Sequence, residues 1–542
     1  MNEEFLISRR RMLGLSVALA GLCAGCAVLP VESDSAGSAA ASAESNQSIE
    51  KAPASEINSV HLRDNAELYN VYDDSGIVTM YLTVSRGNDS ENTNHSWAEI
   101  NHYSAYDYTA MGVARYQVNG LLQVGDENGP LAGEVGYDTL APNATVQIRG
   151  QTSSRYTQKN YKVKLKKNKG SWRGQRTIAL NKHQGEGLRF RNKMAYDLIK
   201  GIDQMMGLRT QFVHLYVKDL TDSASGVFED YGLYTQVEQL NKTALKAHGV
   251  DPNGQLYKIN SFEFYRYEDV IRLTTDPAYD QTAFEKHLEI KGNSDHSKLI
   301  KMLDVLNDES SSMDDELFVT YFDKENIAYW MAFQLLTGNT DTQNRNVYLY
   351  SPQNSSKWYL WDWDNDGMLR RREREIINFS DSESWERGVS NYWGNVLFRR
   401  CLQTQSYRDM LDTAMKELYA YMNEERIQSM MEHYRSVTEK YVWQMPDRMN
   451  VPITHDEYEE VLKSIWPEID ENYNYYWESY RKPMPFYIGE PQVVNGSLLL
   501  TWDPSYNFEI ENIYYTVELA KDYLFTTTFF RQENLILPEL TM

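Results

Sequence analysis

The amino-acid sequence predicts an α+β protein, with strands mostly in the first half and helices mostly in the second. Three observations predict it. From Ser59 onward, alternating runs such as Ile77-Val78-Thr79-Met80-Tyr81-Leu82-Thr83-Val84 are cut by polar turns rich in Gly and Asn. Over residues 313–337 and roughly 405–480, apolar positions recur at helical spacings, as in Met410, Leu411, Met415 and Leu418. Between these stretches, the runs VYLY and WYLW flank Pro352-Gln353-Asn354-Ser355-Ser356 and read as a hairpin.

The first 26 residues carry a basic cluster, Arg9-Arg10-Arg11, then an apolar run from Met12 to Leu22, too short to span a bilayer permanently. Ser8-Arg9-Arg10 with Leu13 is similar to a twin-arginine export signal. Leu22-Cys23-Ala24-Gly25-Cys26 is similar to a bacterial lipobox, which makes Cys26 the expected lipid anchor; the alternative is a plain cleaved signal. Residues 27–58 are dominated by Ser, Ala and Glu and have almost nothing apolar to bury, so they read as a flexible tether. The expected location is extracytoplasmic, lipid-anchored to a bacterial cell membrane, with the main domain over residues 59–484 held off the surface.

Charge and cysteine usage narrow the function. The 542-residue chain has a formal net charge of −23, which argues against nucleic acid as a partner, because that binding rests on Lys and Arg neutralising phosphates. The 39 Tyr and 12 Trp invite a sugar-binding reading, but strands and half-buried surfaces favour the same residues. With Cys23 and Cys26 in the leader, Cys401 is left alone and reads as a buried thiol.

In the first half, Val146 to Lys167 reads as strand, polar turn and strand. Tyr161, Val163 and Leu165 face one way, and Lys162 and Lys164 the other. Such a hairpin can hold an anionic group, or can be an edge strand guarded by lysines. Leu188, Met194, Leu198 and Ile202 lie at roughly helical spacing, and Tyr231 to Lys242 reads as a strand running out to Glu238.

The chemistry concentrates between Gly338 and Gly367. Asp341 and Asn346 precede the first strand of the expected hairpin, and Asp362, Asp364 and Asp366 follow the second, so all lie at one end. Carboxylates and an amide gathered this way suit a hard divalent cation, which takes oxygen ligands. A competing reading exists. Asp362, Asp364, Asp366 and Gly367, with Glu373 at the twelfth position, fit the EF-hand calcium-loop formula, although a strand and not a helix is expected before them.

Taken together, these pieces resemble the CotH kinase family, the spore-coat-protein-H-like group, over roughly residues 75 to 400. The resemblance is carried by Arg149-Gly150-Gln151-Thr152-Ser153, by Lys159-Asn160-Tyr161-Lys162-Val163-Lys164-Leu165, by Leu180/Asn181 and by Arg191-Asn192. It continues through Gly232 to Glu238, Asn339 to Asn346, and Trp361 to Asp364. It implies an atypical protein-kinase-like fold with a β-rich N-terminal lobe and a helical C-terminal lobe. It also implies ATP and Mg²⁺ as cofactors and a protein on the cell surface, or exported, as the substrate phosphorylated on Ser or Thr. Carried over, Asp341 is the catalytic base, and Asn346, Asp362 and Asp364 are metal ligands. Lys159 or Lys164 contacts the phosphates, and Arg149, Ser153, Ser154 and Glu238 complete the nucleotide-binding set. The alternative is a non-catalytic surface binding or scaffolding protein on the same fold, stabilised by Ca²⁺.

After Pro483 and Pro485, residues 485–542 are again β-rich. Leu498-Leu500-Trp502 and Tyr514-Tyr515-Thr516-Val517 resemble part of a fibronectin type III module, in a segment too short for about seven strands.

Overall fold

The computed structural model describes residues 61–378, 387–509 and 511–542; the expected leader, Cys26 and the tether lie outside them. The chain divides after Tyr480 into two compact units. In the larger unit, β1 (Ile77–Ser85), β2 (Val118–Asp126), β3 (Gly129–Pro130) and β4 (Ala144–Arg149) belong to one sheet. β5 (Asn160–Leu165), β6 (Thr177–Asn181), β7 (Thr210–Asp219) and β8 (Glu229–Glu238) belong to the same sheet. Its order is β1-β7-β8-β6-β5-β4-β2-β3, and β1 also pairs with β2, so the sheet closes on itself as a barrel. Closure leaves no open edge between β1 and β2. Only β1 and β7 run parallel in this ring; the other pairs are antiparallel.

Alternation in these strands sorts their side chains into an inside and an outside. Leu82, Leu122, Val146, Val163, Leu180 and Leu215 are fully buried in one cluster. Each such side chain stabilises the fold by about 1.5–3 kcal/mol. Arg149, Gln147 and Lys162 occupy the opposite phase and therefore the outer face.

A second, four-stranded antiparallel sheet follows, in the order β10-β9-β11-β12. Its strands are β9 (Gln255–Ile259), β10 (Leu288–Ile290), β11 (Val347–Ser351) and β12 (Tyr359–Asp362). The expected hairpin is β11–β12. Behind it lies the helix Lys324–Leu336, whose side chains are all buried from Asn326 to Leu336. It packs against helices Gln405–Tyr421 and His455–Ser479.

The expected helix over residues 313–337 is in fact two. A π-helical segment, Met313–Tyr321, stops before Asp323, whose carboxylate then caps the next helix by accepting from the backbone N–H groups of Glu325 and Asn326. Residues 405–480 likewise break at Asn423, which caps helix Glu424–Val442, and again before Thr454, which caps the last helix with a capping box. Among the described residues, no helix is long and apolar enough to cross a membrane.

The smaller unit, from Arg481, holds two sheets. One is β13 (Gln492–Val494), β14 (Ser497–Thr501) and β17 (Glu539–Thr541); the other is β15 (Tyr515–Ala520) with β16 (Thr528–Leu535). Trp502 packs edge-on to Tyr515 at 5.4 Å between ring centroids.

Candidate active site

The register of the β11–β12 hairpin pairs Val347 with Asp362, so Asn346 and Trp363 emerge at the same end. Asn346 and Asp364 both leave the strands in the left-handed region, at φ 57° and 65°, a conformation that Asn and Asp tolerate better than bulkier residues. These two turns aim the polar side chains into one space. Asn346 Nδ2 donates to the Asp341 carboxylate Oδ2 and to its main-chain oxygen, each at 3.1 Å. Arg345 Nε lies 3.6 Å from the other carboxylate oxygen. The Asp341 side chain keeps 58% of its surface accessible. Partial desolvation still raises its pKa above the usual carboxylate range, helped by Asp366 and opposed by Arg345, Asn346 and Arg374.

The three carboxylates after β12 have three different environments. Asp362 is buried, and its two oxygens accept from Gln334 Nε2 at 2.6 Å and from the Asn365 amide. Asn339 extends this network by donating to Gln334 Oε1 and Asn365 Oδ1. Burial without a cation raises the Asp362 pKa to about 7. Asp362 thus ties the loop after β12 to the central helix, with one hydrogen bond to each of its oxygens.

Asp364 differs. Its backbone N–H donates to the Tyr196 hydroxyl at 3.2 Å, but its carboxylate makes no hydrogen bond or ion pair with the described residues. Burial and Asp366 raise its pKa, while Lys258, Arg149 and His183 pull it down. Asp366, with 49% of its side chain accessible, lies 3.6 Å from His183 Nδ1. Burial opposes its ionisation, but His183, Arg370 and Arg374 outweigh this and lower its pKa.

Around Asp364 stand cations that also lack partners. The Arg149 guanidinium lies 6.0 Å and Lys258 Nζ 5.6 Å from the Trp363 ring centroid. Lys162, opposite Gln147 on the next strand, shares the field of Arg149. None of Arg149, Lys162 and Lys258 makes a side-chain hydrogen bond or ion pair with the described residues. Burial lowers the pKa of all three, and Arg149 lowers those of Lys162 and Lys258 further. Lys258 sits between Glu289 and Tyr348 in the second sheet. Local sequence offers no signal for it, since only pairing of strands distant in sequence brings it here.

Several expected nucleotide contacts are engaged elsewhere. Lys159 is 6% exposed, and its Nζ donates to the Ser154 carbonyl at 2.7 Å. Ser154 Oγ accepts from Ala105 N at 2.9 Å and is fully buried, so both serve the loop after β4. Ser153 Oγ accepts from Asn160 Nδ2. Beneath it, Gly150 holds φ at 86°, and a Cβ there would meet that same Oγ at 2.2 Å. Lys164 shares the outer face with Lys162 but is exposed one step further along the strand, opposite Thr145. Glu238 is not near these lysines. It accepts from Arg209 and lies 3.0 Å from His248 Nε2, in a buried cluster at the end of β8, which β6 separates from β5.

The EF-hand reading also fails on geometry. A strand precedes the loop, and Glu373, fully buried, accepts from Arg191 at 2.7 Å, Arg370 at 2.8 Å and the Gly187 backbone N–H at 3.2 Å. It cannot turn back to a cation held by Asp362.

The Asp364 carboxylate and the Asn346 amide oxygen are oxygen donors with no protein partner among the described residues.

A family model described as CotH kinase protein matches residues 146–476, more than half of the chain. Among solved structures, the crystal structure of a Helicobacter pylori proinflammatory kinase, CtkA, matches at 10% identity with a TM-score of 0.28. The match covers 58% of this chain and 94% of that one. No curated protein matches the chain.

Proposed function

The chain belongs to the CotH kinase family, and on that premise we propose that it transfers the γ-phosphoryl group of ATP to Ser or Thr of a protein substrate. The observation that carries this reading is a set of charges with no hydrogen-bond or ion-pair partner among the described residues: Arg149 and Lys258 at the Trp363 ring, Lys162 in the field of Arg149, and the Asp364 carboxylate that interacts with Arg149 and Lys258. These charges are half-buried and so lose part of their hydration, and a polyphosphate with a divalent cation carries both complementary signs.

In this reading Arg149, Lys162 and Lys258 grip phosphate oxygens, and Asp364 with the Asn346 amide oxygen holds Mg²⁺. When bound, Mg²⁺ neutralises charge on the phosphates. Asp341 accepts the proton of the attacking hydroxyl at its carboxylate, which Asn346 orients. A pKa above the ordinary carboxylate value makes Asp341 a better base. Phosphoryl transfer asks for positioning and charge neutralisation more than covalent chemistry, and these residues supply both.

The two-lobed, kinase-like arrangement belongs to the same proposal, with the barrel as the strand-rich lobe and the helices Gln405–Tyr421 to His455–Ser479 as the other. The smaller unit is read as a partial fibronectin type III-like module, supported by its two small sheets. Tethering at the extracytoplasmic face rests on the leader and Cys26; a Cys26→Ala protein that stays with the membrane fraction would contradict it. The central test is incubation with labelled ATP, Mg²⁺ and candidate proteins, wild type beside Asp341→Ala. No nucleotide binding by the wild type would remove the kinase reading.

A further inference from the structure

A second polar cavity, about 280 Å³, opens beside the catalytic loop. It includes none of Arg149, Lys162, Lys258 and Asp364. Its floor is the segment Gly338–Thr340, which leads directly into Asp341, and Gly367, which follows Asp366. Its wall carries four arginines, Arg370, Arg371, Arg374 and Arg387, against the carboxylates Glu375 and Glu468. In a chain of net charge −23 this is a local reversal of sign.

Among the described residues these charges are met unevenly. Arg370 is held by Glu373, and Arg371 by Glu471. Glu375 is engaged by Arg372 at 2.8 Å. Among the described residues Glu468 accepts from the backbone N–H of Arg371, and burial lifts its pKa to about 7, so its negative charge is incomplete at neutral pH. Arg387 meets no carboxylate within ion-pair distance among the described residues. It reaches the Asn472 amide oxygen at 3.4 Å and lies over the Tyr475 ring at 4.4 Å from the centroid. Burial and the neighbouring Arg371 both disfavour its charge.

We propose that this cavity selects the protein substrate, by taking an anionic side chain that lies close in sequence to the accepting hydroxyl. The planar fork of Arg387, steadied from below by Tyr475, matches a carboxylate or a phosphate. Either ligand would relieve the repulsion between Arg387 and Arg371. The position next to Asp341 places such a side chain within a few residues of the hydroxyl that loses its proton. This inference rests on the kinase reading for its function but not for its binding.

The test uses the full chain, wild type and Arg387→Ala, with three Ser peptides that differ only in their flanks: Glu, Gln or phosphoserine. Arg387 lies outside the nucleotide cleft, so the Michaelis constant for ATP stays unchanged. The wild type is expected to favour an anionic flank over Gln by roughly tenfold in kcat/KM, and Arg387→Ala to erase that preference. Comparison of the Glu and phosphoserine arms identifies which anion the cavity prefers. Equal use of all three peptides by the wild type overturns the proposal, as does an equal loss on all three in the variant. If no peptide is phosphorylated, the kinase reading is at fault, and the cavity is judged by binding alone. Fluorescein-labelled versions with Ala in place of the acceptor Ser are then titrated and followed by anisotropy. A roughly tenfold weaker affinity of Arg387→Ala for the anionic peptides upholds the cavity; equal affinity for both proteins overturns it.

Discussion

Asn346 clasps Asp341 twice, through the carboxylate and through the main-chain oxygen, each at 3.1 Å. The clasp closes the loop between the central helix and β11 and leaves the second carboxylate oxygen of Asp341 toward Arg345. A base held this way loses function when its acidity changes, even if its shape does not. Asp341→Asn is therefore expected to lower kcat by roughly 10²–10⁴ while changing nucleotide affinity little. Single-turnover transfer from labelled ATP, with calorimetry for binding, checks both halves.

The two candidate sets of phosphate-binding cations differ in what holds them. Arg149→Ala and Lys258→Ala are each expected to weaken nucleotide binding about tenfold, consistent with one lost charge-assisted contact apiece. Lys159→Ala should leave that affinity alone and lower the melting temperature, because its ammonium is spent on the Ser154 carbonyl. A Lys159→Ala protein that loses nucleotide but melts normally would reverse the assignment.

Asp362 and Asp364 are expected to separate cleanly. Asp362→Ala strands the Gln334 and Asn365 amides in a buried site and should cost on the order of 2–4 kcal/mol of stability. Asp364→Ala removes a carboxylate with no hydrogen bond or ion pair among the described residues, so the melting temperature should hold or rise while Mg²⁺-dependent nucleotide binding disappears. Thermal denaturation and nucleotide titration on the same two variants read this out.

A pH dependence should come from the Glu238–His248 pair. Burial alone would lower the His248 pKa, but Asp64 and Glu238 overcome it and raise the value to about 9 from 6.5. The resulting stability is complete below pH 6.5 and is lost as pH rises through 9. Burial alone would raise the Glu238 pKa, but His248 and Arg209 bring it down from 4.5 to about 2. That contribution is present above pH 4.5 and is lost as pH falls through 2. Urea denaturation should thus show the widest gap between wild type and a Glu238→Gln/His248→Gln protein between these limits.

Glu373 provides a further check on calcium. Glu373→Gln should destabilise the fold by about 3 kcal/mol, by weakening its buried pairing with Arg191 and Arg370, and by the same amount with calcium or with chelator present. A melting temperature of the wild type that climbs with calcium would restore the EF-hand reading.

The hairpin and its polar end were legible because every determinant is local: alternation, a turn, and Asn and Asp at the positions that leave the strands. Asp341 and Asn346 could be found for the same reason. The errors share a cause in non-local pairing. Lys159, Lys162 and Lys164 look alike along the chain, and strand parity alone separates Lys159 from the other two without saying where Arg149 lies beside them. The register of β4 against β5 settles that. Glu238 ends its strand as expected, but the pairing of β7 with β8 sets that end beside Arg209, and His248 completes the cluster. Asp362 and Asp364 are two residues apart and share an alternation, yet Gln334 reaches one and not the other. That difference belongs to a central helix, Lys324–Leu336, whose local sequence gives no sign of what its Gln334 amide reaches.

Arg149 and Lys162 stand on the barrel, and Lys258 stands on the second sheet, so the like charges across the cleft push the two sheets apart. Among the described residues, the Asp364 carboxylate is drawn to both Arg149 and Lys258 and offsets part of that thrust. The cleft behaves as a loaded hinge: a bound polyanion turns repulsion into cross-linking and stiffens two elements that otherwise share few direct bonds. Nucleotide occupancy would then be felt mechanically, as reduced compliance between barrel and hairpin, before any phosphoryl group moves.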